Sequence, residues 1–432
     1  MAIIVGIVVG AGIFRTPSMV ANVAGDAGWI LVLWLAGGMV SLIGALCYAE
    51  LASAYPHAGG DYHFVTRAYG RNLSFLYAWA RATVINTGSI ALLAFVFGDY
   101  MSLLVSLGPH SSALWAALLV VVLTAINLAS LKASSRAQNL LTMVEVLGLV
   151  AVCLAGVAAG PAATSAPLFA MSPPLGLLGL AMVFVLLTYG GWNEAAYISA
   201  ELRGGHRAIV GTLVASVLII TVLYMAVNLA LVAGLGVPAL AQSKAAPADL
   251  LARAFGPWAG QALSIVVALA ALTSINATML VGARTNFALG QDWPALRYLG
   301  GWNSARGVPT AAFVVQCAIA LALIAFGAFQ KDGFEAMVEF TAPVFWGFLC
   351  LVGIALFVLR LRDPDAPRPF RVPLYPLTPA VFVAVCAFLL YSSITYATSR
   401  SAIHVSLLVM AVGVVAWLTT RMRSSTRERK SR

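Results

Sequence analysis

The sequence predicts an all-α membrane protein of about twelve transmembrane helices, the first and sixth of them interrupted. Three observations predict it. Hydrophobic residues fill 61% of the 432 positions and charged residues only 9%, with a mean hydropathy of +0.94, whereas soluble chains carry about 25% charged residues. The apolar residues form long runs, as at 29–46, 115–128 and 175–187, with no polar face recurring every 3.6 residues. Glycine clusters then break two of the runs.

Taken in order, polar, proline and glycine clusters divide the chain into spans at roughly 2–24, 28–53, 72–104, 112–130, 137–160, 175–202, 207–234, 256–290, 308–329, 334–361, 373–396 and 402–420. A bilayer core of about 30 Å needs around 20 apolar residues per helix, so the third and eighth spans are long and are expected to tilt or to run on into the loops. No segment reads as a soluble domain. The chain is one membrane domain, 1–422, followed by a short basic tail, 423–432. Residues 1–9 leave the first helix almost without a flank. They lack the basic region and cleavage site of a signal peptide, and a start site placed too far downstream is the expected reason.

A net charge of +10 would suggest nucleic acid in a soluble protein, but here the basic residues sit in short loops and in the tail, so no nucleic-acid partner is expected. Arg67, Arg71, Lys132, Arg136, Arg203, Arg207, Arg297, Arg306, Arg360, Arg362, Arg368, Arg371 and the tail fall on one side. Only Lys244, Arg253, Lys331 and Arg400 fall on the other. The positive-inside rule then puts both termini in the cytoplasm, with the chain in the cytoplasmic (inner) membrane. Cys47, Cys153, Cys317, Cys350 and Cys386 lie inside apolar runs with no ligand spacing and read as small hydrophobes. The five histidines fall in or near loops, and no HExxH or GxSxG occurs. Neither an enzyme nor a metal or cofactor site is expected. A channel would show rings of pore-lining residues.

The interruptions carry the functional reading. Gly10, Ala11 and Gly12 break the first span, and Tyr189, Gly190, Gly191, Trp192 and Asn193 break the sixth. Glycine costs about 1 kcal/mol in a helix interior, and non-helical backbone persists in a bilayer only where it lines a cavity or is buried in protein. The first and sixth spans open two successive sets of five, roughly 1–160 and 175–361, with 373–420 beyond them. Paired breaks at corresponding positions point to inverted repeats around a midplane site. Half-helix amides suit a carboxylate, and half-helix carbonyls suit an ammonium or a cation. Together they complement an α-amino acid. Other small-residue clusters, at Gly37, Gly38, Gly44 and Gly148, read as close helix packing.

Four stretches make the chain resemble the amino acid–polyamine–organocation superfamily, and within it the L-amino-acid-transporter-like branch. They are VVGAGIFRTP at 8–17, YAELASAYPHAGGDYHFVTRAYG at 48–70, YGGWNEAAYISAEL at 189–202 and RPFRVPLYPLTP at 368–379. The resemblance implies the five-plus-five inverted-repeat fold with two extra C-terminal helices, and secondary transport of amino acids by alternating access. It further implies that the amides of Gly10, Ala11, Gly12, Ile13 and Phe14 hold the substrate carboxylate, and that the Tyr189, Gly190, Gly191 and Trp192 stretch receives the amino group. The loop at 56–60 corresponds to a structural and gating element after the second helix. Three departures stand out. Leu187 replaces a frequent gating phenylalanine. Glu145 occupies a place where many relatives carry a lysine that substitutes for a sodium ion. The loop at 106–113 lacks the cysteine that bonds a heavy chain, so no disulfide-linked partner is expected.

Ionisable groups at membrane depth are expensive. Glu145, Glu194 and Glu201 are therefore candidates for coupling or charge recognition, with a coupled proton, a counter-substrate or a cationic substrate as the options. Arg81 and Arg284 are candidates to neutralise them, and Arg15 a candidate to screen the outer vestibule or to pack as a helix cap. Asn86, Ser274 and Asn276 are candidate cavity groups. The alternative functions are a transporter or exchanger of polyamines or other cationic amines that uses Glu194, and an amino-acid sensor without transport.

Overall fold

A computed structural model describes residues 10–57, 59–129, 135–162, 167–170, 172–192, 205–304, 307–398 and 400–430. The regular structure among those residues is helical, with no strand beyond an isolated bridge between Asn303 and Val308. Ten of the helices are long and apolar enough to span a bilayer. They are α2 (Ala27–Ala54), α4 (Arg71–Leu104), α5 (Ser111–Leu128), α6 (Ser135–Ala158), α8 (Gly205–Leu235), α11 (Pro257–Asp292), α12 (Thr310–Ala328), α13 (Gly333–Arg362), α14 (Leu377–Thr395) and α15 (Arg400–Lys430). Two shorter helices lie at the predicted interruptions, α1 (Thr16–Ala24) and α7 (Leu175–Thr188).

Two predicted loops are helical instead. α3 (Asp61–Tyr69) and α10 (Ala246–Phe255), the latter preceded by the short α9 (Val237–Gln242), link spans at opposite ends of the molecule. Each is amphipathic and begins with acidic residues matched to its dipole, Asp61 and Asp249. They mark two ends, the Glu50 end and the Asp332 end.

The long spans pack α2 against α8, α4 against α11, and α5 against α12. Glycine permits the closest approaches. A β-carbon at Gly44 would lie 2.6 Å from the Trp192 ring, one at Gly37 3.1 Å from the Tyr189 ring, and one at Gly38 2.9 Å from Thr221 Cβ. At Gly148 it would sit 3.1 Å from Val266. The expected packing role of these four glycines holds. Cys47 and Cys386 are buried and all five cysteines are free, in keeping with their reading as small hydrophobes. α4 contains a π turn at Arg81–Ile85, an insertion that shifts the face of its second half and often accompanies functional sites.

Candidate binding site at the paired helix breaks

The first break is built from the backbone. Gly10 is extended and leads into a single 3-10 turn, Ala11–Phe14, in which the Ile13 N–H donates to Gly10 O at 3.4 Å and the Arg15 N–H to Gly12 O at 3.0 Å. α1 starts only at Thr16, with Pro17 in its first turn, a position where the missing N–H costs nothing. At the second break α7 stops at Thr188, and the Gly190 N–H folds back to Leu187 O at 3.2 Å. Gly191 then takes φ 100°, a left-handed conformation natural to glycine. A β-carbon at Gly190 would lie 2.9 Å from Leu187 O.

The two breaks touch. Thr188 Oγ1 lies 2.6 Å from Thr16 Oγ1 and 3.0 Å from the Phe184 carbonyl. A bond back to the carbonyl four residues earlier is a local alternative to the helix ladder and favours a bend there. Gly12 lies against the same threonine, since its β-carbon would be 3.7 Å from Thr188 Oγ1. Ser274 of α11 closes a third side, 3.7 Å from where a Gly10 β-carbon would be. Gly10, Gly12, Gly190, Gly191 and Ser274 are each half-buried, so the backbone at the junction keeps some access.

The aromatic residues of the second break anchor it. The Tyr189 hydroxyl donates to Trp34 O at 3.0 Å, and its ring lies 5.0 Å from Tyr224 and 5.9 Å from Trp34. Trp192 packs edge-on against Tyr48 at 5.2 Å and Phe382 at 6.1 Å. Both side chains are occupied by α2, α8 and α14. What this segment offers a ligand is backbone. Asn193, Glu194 and Glu201 lie outside the described residues.

The remaining candidates separate. Asn276, two residues past Ser274, accepts from Asn127 Nδ2 at 2.8 Å and so ties α11 to α5. Asn86 sits two turns further toward the Glu50 end, beside Gly282, where a β-carbon would lie 3.3 Å from its Nδ2 and collide with Gln316 Oε1. Of the three cavity candidates, only Ser274 adjoins the break. Glu145 is buried on α6 at 3% exposure, with Oε1 lacking a hydrogen-bond partner. No ion pair to Glu145 occurs among the described residues. Neither candidate cation reaches it: Arg284 is exposed, and Arg81 donates to the Tyr77 hydroxyl at 3.2 Å, which donates in turn to Asp61 at 3.0 Å.

Two charge clusters lie at the ends, and of their carboxylates, Glu50, Asp99 and Asp332, none was singled out in the sequence. Glu50, 2% exposed, receives Arg360 through both oxygens and the Val372 N–H at 2.6 Å, with Arg368 at 3.7 Å. Its signal was available, a carboxylate at the end of an apolar span within the 48–70 stretch and arginines within the 368–379 stretch. At the Asp332 end, Arg15 is not an exposed screening charge. It is 1% exposed and paired with Asp99 and Asp332.

Comparison with known proteins agrees with this architecture. A family model described as amino acid permease matches residues 1–417. The chain is 28% identical over 403 residues to the mouse large neutral amino acids transporter small subunit 2, covering 91% of this chain and 74% of the relative. It is 27% identical over 402 residues to the mouse b(0,+)-type amino acid transporter 1, covering 91% and 81%. It is also 27% identical over 427 residues to the mouse Asc-type amino acid transporter 1, covering 95% and 78%.

Proposed function

Because this chain belongs to the amino acid permease family, we infer that it carries amino acids across a membrane by alternating access. The substrate is held between the amides of the first break, at Gly10, Ala11, Gly12 and Ile13, and the backbone of the second, at Tyr189, Gly190, Gly191, Trp192 and Asn193. The observation that carries this reading is the junction itself. Two helix interruptions 172 residues apart in sequence meet with Thr16 and Thr188 at 2.6 Å. Half-helix ends that converge in this way offer positive and negative dipole ends to one small zwitterion.

The ten long spans together with the interrupted α1 and α7 make twelve. The packing supports two inverted repeats, over roughly 1–160 and 175–361, with α14 and α15 outside them. The first span meets the sixth at the breaks, the second meets the seventh (α2 with α8), the third the eighth (α4 with α11) and the fourth the ninth (α5 with α12). Four of the five spans of the first set contact the counterpart five places on, as expected of a pseudo-two-fold pair. Arg67, Arg71, Arg297, Arg360, Arg362, Arg368 and Arg371 gather at the Glu50 end, so that end and both termini are cytoplasmic and the Asp332 end faces outward. The outward loop at 106–113 has no cysteine, and the chain is proposed to work without a disulfide-linked heavy chain.

Glu145 supplies a specific reason to consider proton coupling. It is a buried carboxyl without a cation partner among the described residues, on α6, which packs against α8, the helix whose Tyr224 meets Tyr189 of the second break. Burial without a counter-charge favours the protonated form of such a carboxyl, and release of the proton then needs water or a cation to reach it, which a change between inward and outward states can supply. Glu194 and Glu201 remain candidates for coupling or for a cationic substrate. The test is uptake and counterflow of radiolabelled amino acids in proteoliposomes. Saturable flux with at least one amino acid is expected. An absence of substrate-dependent flux under every ion gradient and counter-substrate tried would overturn the proposal.

A further inference from the structure

We propose that the stacked pair His57 and His63 is a pH-sensitive latch at the Glu50 end. While both rings are neutral they hold the start of α3 against the spans, and protonation releases it and slows transport. The effect on transport rests on the reading of the chain as a carrier, whereas the latch itself does not.

The two rings lie face to face, with centroids 4.3 Å apart and planes 11° apart. His57 stands in the link after α2, and His63 in the first turn of α3. Gly59 is the seat of the stack. Its N–H donates to His57 Nδ1 at 2.9 Å, and a β-carbon there would lie 2.9 Å from the same nitrogen and 3.7 Å from His63 Cβ. The Gly60 N–H closes the turn on His57 O at 3.1 Å, and the N–H groups of Tyr62 and Phe64 donate to Gly59 O and Gly60 O. The stack thus joins the link to the helix.

α3 is in turn a bar across this end. The Tyr62 hydroxyl donates to Asp292 of α11 at 3.2 Å, and Asp61 accepts from Tyr77 of α4 at 3.0 Å. Arg67 pairs with Asp363, just past α13, at 3.0 Å, and the Tyr69 hydroxyl donates to Leu351 O of α13 at 2.7 Å. Phe64 and Val65, on the covered face, are 1% and 0% exposed.

The bonding makes the stack sensitive to protons. A ring nitrogen that accepts an N–H carries no proton, so His57 is the neutral Nε2–H tautomer, and protonation at Nδ1 breaks its bond to Gly59. His63 is half-buried. Burial first, and then the like charges of His57 and Arg67, hold its pKa below the ordinary histidine value. The carboxylates of the packed elements are engaged elsewhere: Asp61 by Tyr77, Asp292 by Tyr62, and Asp363 by Arg67 and Tyr55. The cation Arg362 adds to the same side, its Nη1 on Arg67 O at 3.4 Å. No carboxylate pairs with either histidine among the described residues. A base whose pKa is lowered in one arrangement binds fewer protons there. That arrangement is therefore fully favoured above the ordinary value of about 6.5 and loses ground as pH falls below it. The latch is closed at neutral pH and opens in mild acid.

Two variants fix the latch in its two states. His63→Phe keeps a neutral ring in the stack, and His63→Arg keeps a charge there at every pH. The first measurement is conformational and is made at a single pH, about 7.5, so that thiol reactivity itself is constant. Val65→Cys is labelled with a water-soluble thiol reagent in a background that retains only Cys386 as a buried control. His63→Arg should speed labelling at Val65→Cys by about tenfold or more, His63→Phe should label as the parent does, and Cys386 should stay protected in all three. Equal rates in the two variants, or equal acceleration at Cys386, overturn the latch. The second measurement is counterflow exchange of amino acids in proteoliposomes with the same pH on both sides. The parent should slow by at least about threefold between about pH 7.5 and about pH 5.5. His63→Phe should keep its neutral rate at both, and His63→Arg should be slow at both. A flat parent profile, or an acid step that His63→Phe shares, overturns the effect on transport. The two readings fail separately. If the chain is not a carrier, no exchange occurs while the labelling contrast persists. If only the latch is wrong, exchange proceeds and the labelling contrast is missing. His63→Phe is also the background in which proton coupling is read, because the latch is silent there.

Discussion

Glu50 and Arg360 meet in a two-pronged pair, Nε to Oε1 at 2.7 Å and Nη2 to Oε2 at 2.5 Å, across 310 residues of sequence. Parallel bonds of this kind fix direction as well as distance. They join the C-terminal end of α2 to the C-terminal end of α13, while Val372 and Arg368 bring the 363–376 linker onto the same carboxylate. The opposite end of α13 begins at Asp332, so one helix takes part in a buried charge cluster at each face. It also carries Pro343 in its interior, where the backbone ladder is interrupted and the helix can bend.

Glu50→Gln should destabilise the protein by about 3 kcal/mol, the lower part of the range for breaking a buried pair, because Arg360 keeps some contact with solvent. Thermal melting in detergent checks it. A variant that melts with the parent would mean that the cluster contributes specificity of packing but no stability.

Asp26 predicts an acid limit. Burial pushes its carboxyl pKa up, but N–H groups of Phe169, Trp29, Gly28 and Ala170 outweigh that and hold it below the ordinary value. A depressed carboxyl contributes stability that is present above its unfolded pKa of about 3.9 and is lost as pH falls through the lower folded value. The parent should lose melting temperature below about pH 4. Asp26→Asn should melt lower at neutral pH and show a smaller acid step. An unchanged acid profile in Asp26→Asn would assign that step to other groups.

Glu145→Gln keeps the shape of the side chain and removes its charge. If the proposed coupling holds, gradient-driven uptake should fall at least about tenfold while counterflow exchange persists, since only the proton-dependent step is lost. Melting should not fall, because a buried amide is cheaper than a buried unpaired carboxylate. Preserved pH dependence of uptake would reject Glu145 as the proton carrier and leave Glu194 as the next variant to measure.

Thr16→Val and Thr188→Val test the junction. Each removes one hydroxyl of the 2.6 Å contact at similar volume, and each should raise KM several-fold with little change in melting. Because the two groups share a single contact, the double variant should cost less than the sum, with a coupling of about 0.5–3 kcal/mol. Additive effects would show that the two breaks act independently.

Gly191→Ala should also impair transport. A side chain at φ 100° strains the backbone by roughly 1–2 kcal/mol, and relaxation would reorganise the second break. Uptake at saturating substrate distinguishes this from loss of folding, provided the purified variant remains monodisperse.

The junction was largely legible in the sequence. Gly10 and Gly12, and Gly190 and Gly191, announce themselves because glycine acts on its own backbone, where the chain bends. Gly37, Gly38, Gly44 and Gly148 were equally legible as packing sites. Directions of side chains were not. Tyr189 and Trp192 sit in the break, yet their rings are taken by Trp34, Tyr224, Tyr48 and Phe382. Asn276 and Ser274 are two residues apart on one helix, and that spacing alone places them on different faces. Which face meets the cavity depends on how α11 is turned against α4 and α5.

Composition and the order of apolar runs determined the solvent, the helical class and where helices stop. Each follows from a local rule: backbone groups in a bilayer must be satisfied within the segment, and only special residues excuse a break. Tertiary structure alone decided the charges. Arg15 finds two carboxylates, Glu50 finds two arginines, and Glu145 has no cation paired with it among the described residues. A buried charge is stable only with a partner, and the partners here stand tens to hundreds of residues away, brought near by the packing of whole helices.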